Sequence, residues 1–550
     1  MCLFISVSYG QLQTQNWRVE IKGVPKDFSN QPKSVYEDSL KVEKAIVDLL
    51  QKLHDQGFFY AEIVQREWQD RQLSVTFFTG DQFKLLYLKN GNIAPLVLSD
   101  ISFKEKYYLD QYLNLRSLSE LKRKLLDWYE NHGFPFAEVW LDSFQFKNNA
   151  LSASIFSSPG DRFFIDSVRI IGSLKISDSF LPTHLGLRIG GDYQENKIRM
   201  IDKRLRELPF VKVQKFPEIE FIADRSRLNL FLDKQDANQF DGLIGFLPNQ
   251  ATGKLQITGD FKLRLQNALK QGEVLSFNYR GLPQQSQELD FGFKYPYLFK
   301  SRLGIKTDIL FYKQDTNYLN LNTKLAFVFN YSSNKSLGFH VENYTGNAIS
   351  SFNESNNNIN DIHILFYGLD FDLNSLDNLF VPKKGYNLVM SLSAGNRKIK
   401  DEQTSQFKIK ADLSYYFKLS KVSAIYLHNL SSLLTGKDFY ENEVFRLGGL
   451  KTLRGFDEQQ FFASSFMVQT LEYRIFIEEN SFLNVFYDQA IMKQISKKQT
   501  ELNYPFSFGA GFTFLTKIGS LSLNYALGKQ RNIPLDLQKG KIHFGIVSYF

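Results

Sequence analysis

The sequence predicts an α+β region of three repeated units, followed by an all-β, sixteen-stranded antiparallel barrel that spans a membrane. The first observation is a motif with a helical flank that recurs about every 75 residues up to residue 236. The second is the replacement of helical periodicity, from residue 238 onward, by segments of about ten residues that alternate polar and apolar side chains. The third is an aromatic content of 15%, because phenylalanine and tyrosine favour pleated, half-buried strands.

The composition excludes several classes of protein. With 23% charged and 43% hydrophobic residues, the chain is expected to fold rather than to stay disordered. The net charge of +8 is spread along the chain without a lysine- or arginine-rich block, so nucleic acid is not an expected partner. Cys2 is the only cysteine, so we expect neither an internal disulfide nor a Cys/His zinc site, and no cofactor.

Residues 1–16 are predicted to be the remainder of an export signal. The stretch MCLFISVSYG is mostly apolar or small, and a small residue, Gly10, precedes Gln11. The basic region that normally opens a secretory signal is missing, which fits a start codon assigned too late. An ordinary apolar N-terminal tail is the alternative interpretation.

The three repeats carry one motif. GFFYAEI at 57–63 returns as GFPFAEV at 133–139, an offset of 133 − 57 = 76, and more weakly as LPFVKV at 208–213. Gly57 and Gly133 each end a helical pattern, where a glycine can adopt a left-handed conformation. Phe136 and Phe210 occupy matching places, with an offset of 210 − 136 = 74. The predicted order in each unit is βααββ, and the units span 17–82, 83–162 and 163–236.

The region 238–550 is predicted to be a transmembrane barrel. Sixteen alternating segments follow Asp241, many with tyrosine or phenylalanine at their ends. No stretch approaches the 18 or so apolar residues that a membrane helix needs, so a membrane-spanning form must be a closed barrel.

The first and last strands are expected to close this barrel weakly. The first strand, DGLIGFLP at 241–248, contains Gly242, Gly245 and a proline, which weaken a hydrogen-bonded ladder. The last strand contains Gly545 and ends at Phe550, an aromatic terminus that exported barrels use as an assembly signal. We therefore expect a lateral seam that is short and able to open.

One glycine-rich loop interrupts the strands, in the stretch FRLGGLKTLRGFDEQQFFAS at 445–464. Its glycines allow sharp turns and close packing. Its arginine carries five donors and a permanent charge, so inside a barrel it needs a carboxylate partner. The residues of interest are Gly448, Gly449, Leu453, Arg454, Gly455 and Phe456.

Together these features resemble the POTRA-plus-barrel superfamily of outer-membrane assembly and translocation proteins, the group of BamA, TamA and the two-partner-secretion transporters. In that family the loop is the sixth extracellular loop, folded into the lumen, and its arginine pairs with an aspartate in a Phe-x-Asp-x-Gly strand. Asp488 matches that aspartate, although Ala490 replaces the glycine, and Glu458 and Glu472 are rival partners. The other stretches that carry the resemblance are LEYRIF at 471–476, VFYDQA at 485–490, LDNLFVPKKGYNL at 376–388 and FGAGFTF at 508–514.

The resemblance implies a non-enzymatic insertase or translocase in the bacterial outer membrane, with POTRA-like units in the periplasm. Such units capture unfolded outer-membrane or secreted polypeptides by adding a strand to a sheet edge. Three units are closer to a TamA-like architecture than to the five common in BamA, and imply a possible long periplasmic partner on the POTRA array. Outer-membrane lipid is a further expected partner.

Two other functions stay open. The barrel alone would also suit a dedicated polypeptide secretion pore, or a passive channel or lipid-related transporter. An enzyme has little support, since no GxSxG, Walker or metal-spaced motif is present.

Overall fold

The computed structural model describes most of the chain. The described residues are 16–26, 28, 32–223, 225–248, 255–282, 286–332, 334–349, 358–378, 381–496, 499–516, 520–531 and 540–549. The predicted export signal at 1–16 falls almost entirely outside this set, and Phe550 lies outside it. Among the described residues, no helix combines the length and the apolar character needed to cross a membrane.

The first sheet combines two adjacent parallel strands with one long helix. Its order is β2-β1-β4-β3, and β1 runs parallel to β4. Asp38 accepts hydrogen bonds from the first backbone N–H groups of the helix, which fixes where it starts. The helix buries Val42, Ile46, Leu49 and Leu53 on the sheet. The elements are β1 Trp17–Lys22, β2 Val35–Tyr36, α1 Ser39–Asp55, β3 Glu62–Gln69 and β4 Gln72–Phe78.

The second sheet repeats this arrangement with an added short helix. Its order is β6-β5-β8-β7, again with the first long strand parallel to the last. Leu118, Leu121, Leu125 and Tyr129 form the buried face of the long helix. The elements are β5 Lys84–Asn90, α2 Pro95–Asp100, β6 Gln111–Tyr112, α3 Leu115–Glu130, β7 Glu138–Lys147 and β8 Ala150–Ser158.

The third sheet has the order β10-β12-β11, with β9 also paired to β12. Its helical part differs from the sequence pattern, because the single amphipathic run near residue 200 is split into two short helices at Met200. The elements are β9 Phe164–Ile171, α4 Phe180–Leu185, α5 Glu195–Arg199, α6 Ile201–Arg206, β10 Val211–Val213, β11 Glu218–Ile222 and β12 Arg225–Lys234.

The remaining strands form one closed antiparallel barrel. Among the described residues the barrel has eighteen strands. Two of them are short extensions, since β23 pairs directly with β25 and β26 directly with β28, which leaves 18 − 2 = 16 strands around the barrel. The predicted fold class is confirmed. The strands are β13 Gln239–Pro248, β14 Leu255–Gln266, β15 Val274–Gly281, β16 Gln287–Tyr295, β17 Leu303–Gln314, β18 Tyr318–Ser332, β19 Lys335–Ala348, β20 Ile362–Asn374, β21 Gly385–Ile399, β22 Glu402–Lys418, β23 Ser423–Leu434, β24 Phe445–Leu447, β25 Phe461–Glu478, β26 Ser481–Ser496, β27 Gln499–Asn503, β28 Phe506–Leu515, β29 Ser520–Lys529 and β30 Lys541–Tyr549.

The barrel wall alternates apolar outside and polar inside. Along β25, Leu471 and Tyr473 are exposed, whereas Thr470 and Glu472 are buried. An apolar outer band and a polar interior are the pattern of a barrel that faces lipid. Polar contacts on the inside therefore occur in a partly enclosed space, where they are stronger than at an open surface.

The chain divides into two compact units. One contains residues 1–166, 190–198 and 221–226, and the other contains residues 167–189, 199–220 and 227–550. Within the second unit, α4 packs on two turns of the barrel, β14–β15 and β16–β17. The ring of Phe180 lies against Gly272, where a Cβ would come within 1.9 Å of it, and 5.3 Å from the ring of Tyr297.

A buried histidine completes this joint between α4 and the barrel. His184 Nε2 lies 2.9 Å from the carbonyl oxygen of Arg204, and Nδ1 lies 2.9 Å from the hydroxyl of Tyr297. Because a carbonyl only accepts, Nε2 carries the proton and the tyrosine hydroxyl donates to Nδ1. Burial lowers the pKa of His184 to about 4, so the ring is neutral in this joint at neutral pH.

Candidate functional site

The loop between β24 and β25 contains three glycines with positive φ, a backbone conformation that favours glycine. Gly448, Gly449 and Gly455 have φ values of +120°, +90° and +80°. A Cβ on Gly449 would come within 2.1 Å of the carboxyl group of Glu458, and one on Gly455 within 2.7 Å of the backbone of Gly528 in β29. Both the conformation and the close approach therefore require glycine here.

Arg454 fixes this loop to the wall formed by β25 and β26. Its Nε and Nη2 donate to the two carboxylate oxygens of Asp488 at 2.8 and 2.7 Å, and its Nη1 donates to Glu472 at 2.8 Å. The guanidinium carbon also lies 3.4 Å from the ring centroid of Phe486. Thr470 donates to Asp488 as well. The structure thus brings Arg454 together with Asp488 and, at the same time, with the rival Glu472.

This arrangement is strong because it is bidentate and buried. The side chains of Arg454 and Asp488 are 11% and 2% exposed. A planar guanidinium matches a carboxylate through two parallel hydrogen bonds, and a second carboxylate uses its remaining donors. Arg474 also donates to Glu472, at 2.7 Å. Two cations therefore share two carboxylates, and no charge in the group is left without a partner.

A cluster of buried apolar side chains includes the neighbours of Arg454 in the loop. Leu453 is fully buried, and Phe456 packs edge-on against Phe461 with ring centroids 5.2 Å apart. Ala490, which stands where the family pattern has glycine, is also fully buried in this cluster. Its methyl group lies in this apolar cluster, and the pair between Arg454 and Asp488 forms beside it.

The other rival, Glu458, has a different partner. It accepts from Arg280 Nη2 on β15 at 2.7 Å and lies at no ion-pair distance from Arg454 among the described residues. The loop touches side chains of β14, β15, β25, β26 and β30, which lie on several sides of the barrel. It therefore lies in the lumen.

The seam between β13 and β30 is only partly paired. Three residue pairs join the two strands: Gln239 with Tyr549, Phe240 with Ser548 and Asp241 with Val547. Beyond them, residues 242–248 pair with β14 alone and residues 541–546 with β29 alone. Seven residues of β13 and six of β30 thus have no partner across the seam in the described chain.

The predicted seam glycines lie in this unpaired half. Gly242 and Gly245 pair with Phe261 and Thr258 of β14, and Gly545 pairs with Ser522 of β29. Phe550, the fourth predicted seam residue, is outside the described residues.

The four residues predicted to shape the repeats are two glycines with positive φ and two phenylalanines in aromatic contacts. Gly57 and Gly133 have φ values of +88° and +96°, and the carbonyl of each accepts a backbone hydrogen bond from the phenylalanine that opens the next repeat. Phe136 is 56% exposed, although its ring edge packs on two other phenylalanines. Phe210 is buried near Phe180.

Sequence reasoning missed several residues of the site. Thr470, Phe486 and Arg280 complete the contacts of the loop, yet they lie 16, 32 and 174 residues from Arg454 (470 − 454, 486 − 454, 454 − 280). Their only sequence signal is an inward position on an alternating strand. No group of three or more His, Cys, Asp or Glu that could hold a metal ion occurs in the part of the chain that the structure describes.

Residues 267–550 match the Omp85 superfamily domain. The match covers more than half of the 550 residues and includes the lumen loop, Asp488 and the last strand. The chain belongs to the Omp85 superfamily. It is an outer-membrane β-barrel protein with POTRA-like α/β modules in the periplasm, as the sequence resemblance implied. No curated protein sequence matches the chain.

Solved structures with a similar fold extend over nearly the whole chain. CdiB from Acinetobacter baumannii has a TM-score of 0.54 at 14% identity, covering 93% of this chain and 98% of that chain. CdiB from Escherichia coli also has a TM-score of 0.54, at 11% identity, covering 93% of this chain and 97% of that one. BamA from Haemophilus ducreyi lacking POTRA domains 1–3 has a TM-score of 0.48 at 15% identity, covering 86% and 100%. At these identities the CdiB similarity shows the fold.

Proposed function

We propose that this Omp85 protein is a non-enzymatic outer-membrane insertase or translocase whose client polypeptides enter through the β13–β30 seam. The half-paired seam is the observation that carries the proposal. Two strand edges, residues 242–248 and 541–546, present backbone groups without partners across the seam among the described residues. An unpaired edge is a template for adding another strand.

The seam suits a client of any sequence. Main-chain hydrogen bonds supply affinity without reading most side chains, so one edge can accept many unfolded polypeptides. A client strand that pairs with the free edge of β30 or of β13 would satisfy its own backbone groups before it enters the lipid, where unpaired groups are costly.

The periplasmic modules are proposed to deliver these clients. In the part of the chain that the structure describes, β3 and β7 lie at the ends of their sheets and pair on one side only. β7 carries Trp140, Phe144 and Phe146, all of them exposed. An extended client with apolar side chains could add to this edge and cover these rings. The boundaries 17–82, 83–162 and 163–236 are proposed as three POTRA-like modules, on which a long periplasmic partner could also dock.

Depletion of the protein, followed by quantitative proteomics of the outer membrane, tests this function. We expect a loss of several barrel proteins that is reversed by the wild-type chain and not by Arg454→Ala. Loss of a single exported protein would favour the dedicated secretion pore instead. An unchanged outer-membrane proteome would contradict a protein-assembly role and favour a channel or a lipid-related transporter.

A further inference from the structure

The loop residues that follow the Arg454 anchor contact both sides of the seam. Asp457 and Glu458 are consecutive, yet their carboxylates point to different strands. Asp457 accepts from Lys541 Nζ, the first residue of β30, at 2.7 Å. Glu458 accepts from Arg280 of β15 at 2.7 Å. β30 is one edge of the seam, and β15 belongs to the flank on the other side.

Each of these contacts has support on its own flank. On the β15 side, Lys451 Nζ lies 3.1 Å from Asp260, a residue of β14 that pairs with residue 243 in the unpaired half of β13. On the β30 side, Gly455 packs against the backbone of Gly528 in β29. The loop thus spans the lumen at the level where the two seam strands lack mutual hydrogen bonds.

We infer that Lys451, Asp457 and Glu458 form a latch that holds the two flanks of the seam together in the resting state. In the paired half of the seam, three residue pairs join β13 to β30 directly. In the unpaired half, side-chain ion pairs through the loop take the place of the missing backbone bonds. Opening the seam then requires the loop to release one flank, while Arg454 keeps it attached to β25 and β26.

The two halves of the latch differ in strength. Arg280 and Glu458 are 13% and 32% exposed, and Arg280 is also 3.4 Å from both Asp260 and Glu288. Lys541 and Asp457 are 41% and 71% exposed, so water and salt screen that pair more. The β30 contact is therefore expected to release first, and the loop to stay with β15 as the seam opens.

This inference rests on the proposed function only in that the seam opens, so we test it without any client. Nitroxide labels are placed at the outward-facing positions Phe261→Cys in β14 and Phe544→Cys in β30, in a Cys2→Ser background. Double electron–electron resonance spectroscopy then measures the distance between the two labels, across the seam, in lipid vesicles. We expect one short distance in the latched protein and a longer second population, increased at least threefold, in Glu458→Gln. Glu478→Gln removes an exposed carboxylate at the end of β25 and is the matched control.

A charge swap separates the latch from a general loss of structure. Asp457→Lys alone places two cations together and is expected to increase the open population, whereas Asp457→Lys with Lys541→Asp restores the pair and the short distance. Retained heat-modifiable migration of each variant in gels shows that the barrel is folded. An unchanged distance distribution in both Glu458→Gln and Asp457→Lys would overturn the latch. Client insertion by the same vesicles is a separate readout, so the proposed function can stand or fail independently.

Discussion

The wall formed by β25 and β26 and the seam formed by β13 and β30 are held together in different ways. The wall has fourteen residue pairs, and a buried arginine is clamped between Asp488 on one strand and Glu472 on the other. Among the described residues the seam has three residue pairs, and its other bridges run through more exposed side chains of the same loop. One loop therefore joins a rigid part of the barrel to a weak one, which confines any opening to the seam.

The largest expected effect comes from removing the clamp on the rigid side. Arg454→Ala leaves Asp488 and Glu472 buried with less compensation, and breaking such a buried group costs about 3–5 kcal/mol. We expect a lower free energy of unfolding by this amount in urea titrations of vesicle-embedded protein. Arg454→Lys keeps the charge but lacks the planar guanidinium group. Its free energy of unfolding should lie between those of the wild type and Arg454→Ala. Arg116→Ala, at an arginine whose side chain is 80% exposed, is the control and should change little.

The next-largest expected effect is a loss of stability at low pH in the joint between α4 and the turns β14–β15 and β16–β17. His184 has a folded-state pKa of about 4 against about 6.5 when unfolded, so protonation favours the unfolded joint. This stabilisation is complete above pH 6.5 and is lost as the pH falls toward 4, by up to about 3 kcal/mol.

Thermal unfolding of the wild type and of His184→Gln between pH 4 and 7 measures this dependence. The wild type should lose stability more steeply than the variant over that range. His132→Gln, the same substitution at an exposed histidine outside this joint, is the matched control. Equal slopes for wild type and His184→Gln would show that this joint does not sense pH.

A smaller effect separates backbone strain from close packing at the loop tip. Gly455→Ala forces alanine to a φ of +80° and places a methyl group against Gly528, with an expected cost of about 1–3 kcal/mol. Gly190→Ala has a similar φ of +75° with no atom within 4 Å, so it measures the strain alone. We expect Gly455→Ala to be the more destabilising in the same urea titration. Equal losses would mean that the tip does not pack tightly on β29.

The smallest expected effect is that of Lys541→Ala, which removes the exposed half of the latch. Exposed ion pairs contribute about 0–1 kcal/mol, so the global unfolding free energy should hardly change. The effect of this variant should weaken further at high salt. A loss as large as that of Arg454→Ala would mean that the seam and the wall are equally important for stability.

Local sequence patterns were enough to predict much of the fold. Alternation with a period of two predicts strands and their inward faces, which is why the number of strands around the barrel follows from the sequence. The helices beside the third sheet depart from the local sequence pattern. The run around Met200 has a continuous helical period, yet it is broken into α5 and α6. Packing against other elements decides such a break, and one sequence does not reveal it.

The site was predictable where a motif names its residues. The resemblance to the family's loop and strand motif implies the pair of Arg454 and Asp488, whereas the simultaneous binding of Glu472 depends on which strands are neighbours. Glu458 was considered as a partner of Arg454 and instead binds Arg280, 458 − 280 = 178 residues away. Glycines and a proline predicted a weak seam. These residues did not reveal that part of the seam is unpaired, because the register between β13 and β30 is a property of the folded barrel.

A disulfide across the seam tests most directly whether the barrel works by opening there. Phe240→Cys and Ser548→Cys lie opposite each other in the register, at a spacing that a disulfide can span, and Cys2→Ser removes the native thiol. Leu471→Cys with Tyr487→Cys, opposite each other in the wall of β25 and β26, is the matched control. We predict that oxidation stops client assembly for the seam pair and not for the wall pair, and that reduction restores it. Full assembly by the oxidised seam variant would contradict lateral opening.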